Sequence, residues 1–462
     1  MESTNLSPIT LSRLVSLYET HRQQLVACDT PRLAGLRDRA FQSFASLGFP
    51  DTKQEGWRHT DLKESLARLY DYPLDPLKET DIQKVFQCNI PHLDTAILGQ
   101  LNGWYVSRDV PLMELGNGMI MGSLSEARKK YPELVEKYYG RAADDTTDAF
   151  TALNTAFVRD GVFVYVPAGV KSPRPVQMIN VIHHKSNLLI QSRNLIILGE
   201  NARLSLVHCD DSYNHQGSFS NIVTEIFAGE NAFLDHYKLQ NLNNNSTLIS
   251  STFFRLDKAA GLESHYISLN GGLLRNNIRV VFDGPHGRAD LFGLYLMDKK
   301  QHVDNQIYVD HAFPECTSTE VFKGILDENA RGVFNGHVLV RRNAAKTDAR
   351  QSNKNMLLTD SARVNSKPFL EIYNDDVKCS HGSSVGQLDS MAMFYLRQRG
   401  ISEESARMLL MFAFANEVVA KIAIPELRGR IEDMVKKRLQ GELQICEQCV
   451  LHCSTPEKNI NQ

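Results

Sequence analysis

Apolar and polar positions along the chain fall into three successive textures. In the first, Leu11, Leu14, Val15 and Tyr18 recur at spacings of three and four, and Ala40, Phe41, Phe44 and Leu47 repeat the stripe. That is the period of an amphipathic helix. Gly48-Phe49-Pro50 breaks the second stripe, Gly56-Trp57-Arg58-His59-Thr60 predicts a turn, and Leu62 to Tyr70 predicts a further short helix. The chain reads as helical to about residue 90 and as mixed over 91–150. There Gly103-Trp104-Tyr105-Val106 predicts a strand, and Pro132 should interrupt or restart a charged helical stretch.

From about residue 160 to 390 the texture is short β-rich runs separated by Gly, Asn and Asp. Val162-Phe163-Val164-Tyr165-Val166 is stopped by Pro167, and Arg203-Leu204-Ser205-Leu206-Val207 alternates as a half-buried strand should. This region also repeats itself. Gly199-Glu200-Asn201-Ala202-Arg203-Leu204 returns as Gly229-Glu230-Asn231-Ala232-Phe233-Leu234, an offset of 229 − 199 = 30. Asp257-Lys258-Ala259-Ala260-Gly261-Leu262 follows at 260 − 232 = 28. Asp327-Glu328-Asn329-Ala330 and Asp360-Ser361-Ala362-Arg363-Val364 are separated by 362 − 330 = 32. Strands and tight turns repeating at this length predict a parallel β-helix, in which each coil buries the inner face of the next. An antiparallel sandwich is the alternative for the same strands.

The third texture is helical again. Ser402 is placed to cap a helix whose first turn carries Glu403 and Glu404. From Ala406 to Ile424 only Arg407, Asn416, Glu417 and Lys421 interrupt the apolar run, so this helix must be covered on most sides, by its own solenoid or by a partner. Pro425 can start a second helix and Gly441 end it. The resulting organisation is a mainly helical N-terminal domain (1–150), a β-helix core (151–389) and a C-terminal helical domain with a cysteine-containing tail (390–462).

Composition narrows the function. The 462 residues carry a formal charge of −3, which gives neither a broad basic surface for nucleic acid nor a strong field for acidic membranes. The first residues lack the basic and apolar regions of a signal peptide, and the longest uninterrupted apolar run, Met408 to Ala415, is far short of the roughly 20 residues that span a bilayer. The eight cysteines, Cys28, Cys88, Cys209, Cys316, Cys379, Cys446, Cys449 and Cys453, read as reduced thiols of a cytoplasmic protein.

Cys379-Ser380-His381 is the first candidate for chemistry. On a strand, Cys379 and His381 share one face with alpha carbons roughly 6.5 Å apart, and a thiolate with an imidazole suits zinc or iron. Two ligands are too few for a closed site, and a buried cysteine beside a hydrogen-bonded histidine has the same spacing. Cys446, Cys449 and Cys453, with His452 among them, are spaced three and four apart and would share a helix face, either as ligands or as small packing residues. His302, His311 and Cys316 with Asp304 and Asp310 form a looser set, and His183-His184 and His208-Cys209 a weaker one. No Gly-x-x-x-x-Gly-Lys-Ser/Thr phosphate loop, Gly-x-Ser-x-Gly elbow or His-Glu-x-x-His pair is present, so no self-contained active site is visible.

Several segments in the C-terminal third resemble a known family. They are Val333-Phe334-Asn335-Gly336, Lys346-Thr347-Asp348-Ala349, Gln351-Ser352-Asn353-Lys354-Asn355-Met356, Lys367-Pro368-Phe369-Leu370-Glu371-Ile372, Asp375-Asp376-Val377-Lys378-Cys379-Ser380-His381-Gly382 and Phe394-Tyr395-Leu396-Arg397-Gln398-Arg399-Gly400-Ile401. Gly56-Trp57-Arg58-His59-Thr60 and Phe322-Lys323-Gly324-Ile325-Leu326 also fit. Together they resemble the SufB/SufD family, and Cys-Ser-His-Gly points to its SufD branch. The resemblance implies a right-handed parallel β-helix between helical terminal domains. It also implies a non-enzymatic scaffold for iron–sulfur cluster assembly that pairs with SufB and docks the ABC-type ATPase SufC through the terminal helices. Under it, His381, with Cys379 beside it, is the expected ligand for iron or a nascent cluster shared with SufB. It leaves room for a flavin on the complex and for a homodimer without pointing to residues for either, and it assigns nothing to Cys446, Cys449 and Cys453. A structural zinc protein using those three cysteines and a polysaccharide-acting β-helix enzyme are the competing expectations.

Overall fold

The computed structural model describes residues 6–76, 90, 92–106 and 110–441. Its centre is a parallel β-solenoid of about seven turns with helical regions at both ends. Each turn contributes one strand to each of two sheets. The first sheet stacks Val176–Ile182, Arg203–Ser212, Phe233–Asn241, Gly261–Asn270, Arg288–Met297, Thr317–Leu326, Thr347–Leu357 and Val377–Gly386. The second stacks Leu188–Leu198, Ser218–Ala228, Thr247–Leu256, Leu273–Phe282, His302–His311, Arg331–Val340 and Arg363–Ile372. All of these neighbours are parallel, which excludes the sandwich. The expected strand near Trp104 is present as Trp104–Val106, which pairs antiparallel with Ala96–Leu101 at the start of the first sheet.

The sequence repeat marks the corners. Ala202, Ala232 and Ala260 follow residues with positive φ, namely Asn201 (58°), Asn231 (56°) and Ala259 (54°), and their N–H groups donate to Gly199, Gly229 and Asp257 at 3.0–3.1 Å. Asparagine tolerates that left-handed conformation better than most residues, and the buried alanines leave a methyl group as the only side chain at each corner. Ala330 and Ala362 lie on the opposite corner, between the first sheet and the second. The repeat therefore has two corner lines, which is why 330 − 260 = 70 is not a whole number of coils.

Inward positions of both sheets interdigitate as the solenoid core, for example Leu204, Leu234, Phe254, Leu262, Val280 and Phe334. The outer faces are covered as well. Strand Arg203–Ser212 is half-buried as expected over its first residues, where Leu204 and Leu206 are buried while Arg203 is exposed and Ser205 intermediate; from Val207 on both faces are buried, with Val207 and Cys209 in an outer apolar cluster.

Helices α1 (Leu11–Val26), α2 (Pro31–Leu47), α3 (Lys63–Ala67), α4 (Leu124–Lys130), α5 (Pro132–Tyr138) and α6 (Ala149–Phe157) precede the solenoid. Pro132 does restart a helix, as the first residue of α5. Leu14, Tyr18, Phe44 and Phe150 pack on Leu189, Phe219 and Ile249 of the second sheet. Arg193, fully buried, donates to Glu225 at 2.7 Å and to Thr155 of α6, while Glu225 accepts the backbone N–H groups of Gly140, Ala142 and Ala143. The Gly56–Thr60 turn is a second pin. Arg275 stacks on the Trp57 ring at 3.7 Å and donates to the Gly56 carbonyl, and Thr60 donates to Asp304.

After the solenoid come α7 (Ser390–Gln398), α8 (Glu403–Val419) and α9 (Pro425–Leu439). Ser402 caps α8 by accepting from the Ser405 N–H at 3.1 Å, and Gly441 follows α9 at φ 78°. Met411, Ala415 and Val418 of α8 and Ile431, Met434 and Val435 of α9 cover Tyr237, Ile267, Leu294 and Ile325. The solenoid thus buries one side of the apolar helix, but Leu409 on its other side stays about half exposed.

Candidate functional site

The helical cover stops before the last coil. Among the described residues, strand Arg363–Ile372 pairs only with Arg331–Val340, and Val377–Gly386 only with Thr347–Leu357, so each ends its sheet with an open edge. Pro368 fits there because a residue without an N–H is tolerated at an edge strand. Around these edges Phe369, Ile372, Tyr373, Val385, Met391, Phe394 and Tyr395 are exposed, and none of the residues of α7 is buried. Open strand edges beside exposed apolar residues offer a pairing surface for another chain.

Cys379 and His381 lie at this end, on strand Val377–Gly386, with Ala349 and Gln351 as their register partners. They share the strand face that continues the solenoid interior, as the two-residue spacing requires. Cys379 is half-buried against the core and His381 is exposed. Burial pushes the Cys379 thiol up, with a smaller push from Asp348 and a counter-pull from the Ala349 backbone. Among the described residues no group of three or more His, Cys, Asp or Glu side chains could hold a metal ion. Two donors with an open approach therefore need further ligands from outside this set.

The other expected sites resolve differently. Cys446, Cys449 and Cys453 lie outside the described residues, as do Cys88 and His452. His302, His311 and Cys316 are not brought together as a site. His302 sits at 2.9 Å from the Thr60 hydroxyl. His311 pairs with Ser318 at 2.9 Å, and burial pushes its imidazole down to about 4. Cys316 lies in the solenoid core with its thiol donating to the Gly284 carbonyl, and burial pushes it up to about 11. Asp310 is held by Arg341 through two bonds of 2.7 and 2.8 Å. His184 Nδ1 accepts the Ser186 N–H, and His183 packs edge-on against Tyr213. His208 and Cys209 point to opposite faces, one into the lumen and the other into the outer apolar cluster.

The lumen holds what residue spacing along one strand did not reveal. Lys238, fully buried, is 2.8 Å from Asp210, and its Nζ lies 3.3–3.4 Å from the ring nitrogens of His208. Burial raises Asp210, but Lys238 and His208 outweigh it and hold the carboxyl well below the usual range. Burial, then Lys238, depresses His208; burial, then His208 and Lys238, depresses His236 far below an ordinary imidazole. The signal was the coil offset, since 238 − 208 = 30 places the two residues on one register line. Deeper along the same sheet from His381, buried Glu320 accepts from Gln351 Nε2 at 2.7 Å, and burial pushes its carboxyl up to about 7.

Comparison with known proteins agrees with this architecture. Residues 10–178 match the SufBD protein N-terminal region, and residues 181–414 match the SUF system FeS cluster assembly SufBD core domain. The chain is 30% identical over 419 residues to an iron–sulfur cluster assembly SufBD family protein of Synechocystis, covering 88% of this chain and 91% of that protein. It is 27% identical to the iron–sulfur cluster assembly protein SufD of Escherichia coli, over 87% of this chain and 92% of the relative. For SufD of Bacillus subtilis the identity is 24%, over 88% and 94%. Two domain matches in tandem, end-to-end relatives and a solenoid between helical ends lead to one conclusion: the chain belongs to the SufB/SufD family and has a role in iron–sulfur cluster assembly.

Proposed function

We propose that this chain is a SufD-type scaffold subunit, without catalytic activity of its own, that pairs with a SufB-type partner at the open end of the solenoid. In this reading His381 and Cys379 offer an imidazole and a thiolate to iron or a nascent cluster, which is the cargo of the complex, and the partner supplies the remaining ligands. The observation that carries it is the coincidence of the two unpaired edge strands with the Cys-x-His pair and the exposed apolar residues. A SufC-type ATPase would dock on the outer side of α8, where Leu409 is exposed. That placement also accounts for a phosphate loop being absent from this chain.

The test is reconstitution with SufB-type and SufC-type partners from the same cell. His381→Ala should leave the complex assembled and impair cluster formation, read by visible absorption and iron and sulfide content. Leu409→Asp should release the ATPase and keep the SufB-type partner. An intact chain that captures neither partner would sink the subunit reading.

A further inference from the structure

The inner face of the first sheet carries a polar column that runs to the open end. Glu320, Gln351 and His381 occupy one register line on three successive strands, Thr317–Leu326, Thr347–Leu357 and Val377–Gly386. Adjacent strands lie about 4.8 Å apart, so each side chain on such a line reaches the next. Glu320 and Gln351 are 1% and 4% exposed, whereas His381 stands open to solvent.

Gln351 is anchored on its inner side, because its Nε2 donates to Glu320 Oε2 at 2.7 Å. Its amide lies against Gly336 of the opposite sheet, where an added Cβ would come within 2.2 Å of Nε2. Glycine at 336 is thus what leaves room for this side chain. A planar carboxamide that points its nitrogen to the inner neighbour turns its oxygen toward the outer one, the geometry of glutamine ladders on stacked strands. The outer neighbour is His381. Gln351 Oε1 is buried and has no hydrogen-bond partner, and a buried carbonyl without a donor is costly to maintain. The adjacent column, Ser318, Ala349 and Cys379, has only a methyl group on its middle rung.

We propose that Glu320 and Gln351 are positioning residues for His381: Gln351 Oε1 accepts the N–H of one imidazole nitrogen and leaves the other nitrogen unprotonated toward the open end. A ligating histidine needs its second nitrogen held in this way, since the acceptor fixes both tautomer and ring orientation. The inference rests on the reading of His381 as a ligand and extends it by two buried residues that touch neither partner nor cargo.

The test uses the full chain with nitrogen-15 histidine and His381→Ala to assign the His381 signals. Wild type should show one His381 tautomer at pH 8, and Gln351→Leu should show a mixture. Glu320→Leu, which removes the anchor, should reproduce the mixture, while Glu320→Gln, which keeps an acceptor for Gln351 Nε2, should restore the single tautomer. Co(II) titration should give affinity about ten- to hundredfold lower in Gln351→Leu than in wild type. Both tautomers in the wild-type chain, or an unchanged single tautomer in Gln351→Leu and Glu320→Leu, would overturn the column without needing any metal. A fixed tautomer with no Co(II) coordination that His381→Ala abolishes would keep the positioning and remove the ligand role.

Discussion

The middle of the solenoid and its open end carry similar side chains and use them in opposite ways. His208 and Asp210 alternate on one inner strand face much as Cys379 and His381 do at the end. In the middle, coils on both sides seal the histidine and acid around Lys238, and the Lys238 ammonium finds its counter-charge in Asp210. At the end no further coil follows among the described residues, and Cys379 is half-buried and His381 exposed, with the exposed apolar residues of the edge strands at the same end. The same two-residue spacing is a packing device in one place and an offered donor set in the other. What differs is whether another coil lies on top.

Stability measurements can break this contrast. The largest effect is expected in the lumen, where Asp210→Ala strands the Lys238 ammonium without its partner. Urea denaturation should register a loss of about 3–5 kcal/mol, and a loss below 1 kcal/mol would mean water reaches the lumen.

Glu320 should act in the other direction. Its folded carboxyl keeps a proton to about pH 7, while the unfolded chain gives it up near the ordinary value of 4.5. The group therefore costs nothing below the unfolded value, and its penalty grows as pH rises through that window and is complete above it. Glu320→Gln should change little at pH 4 and stabilise the protein by about 3 kcal/mol at pH 8. A gain independent of pH would show that the carboxyl is not titrating in this window.

At the open end the numbers should be small. Val385→Asp, on an exposed edge residue, should alter stability by no more than about 0.5 kcal/mol while abolishing capture of the SufB-type partner in co-purification. His381→Ala should move the thermal midpoint least of all, again within about 0.5 kcal/mol, yet impair cluster formation. If His381→Ala unfolds the chain, the open end is structural like the lumen and the contrast fails.

Much of this molecule was legible locally. The 30-residue recurrence of Gly-Glu-Asn-Ala reported the coil because each corner needs a left-handed residue followed by one small enough to turn inward. The stripes of α1 and α2 and the Ser402 cap of α8 were readable because a helix declares its buried face and its first turn within a few residues. Cys379 and His381 share a face because strand periodicity is two.

Other features depend on residues far apart in the chain. The set His302, His311 and Cys316 looked like a cluster along the sequence, but folding gave each residue its own partner or packing environment. Strand Arg203–Ser212 keeps the alternation of its first residues, yet from Val207 on both of its faces are buried, Val207 and Cys209 joining an outer apolar cluster that also holds residues of α8 and α9, some two hundred residues later. Lys238 on His208, and Gln351 between Glu320 and His381, are meetings across coils, visible only once the register is known. The sequence by itself determined the coil length, the corner residues and the two-residue alternation, because these depend on backbone sterics and nearest neighbours. Only the tertiary structure decided which inward polar groups are sealed and which stand at an open edge, because burial depends on what the rest of the chain lays over them.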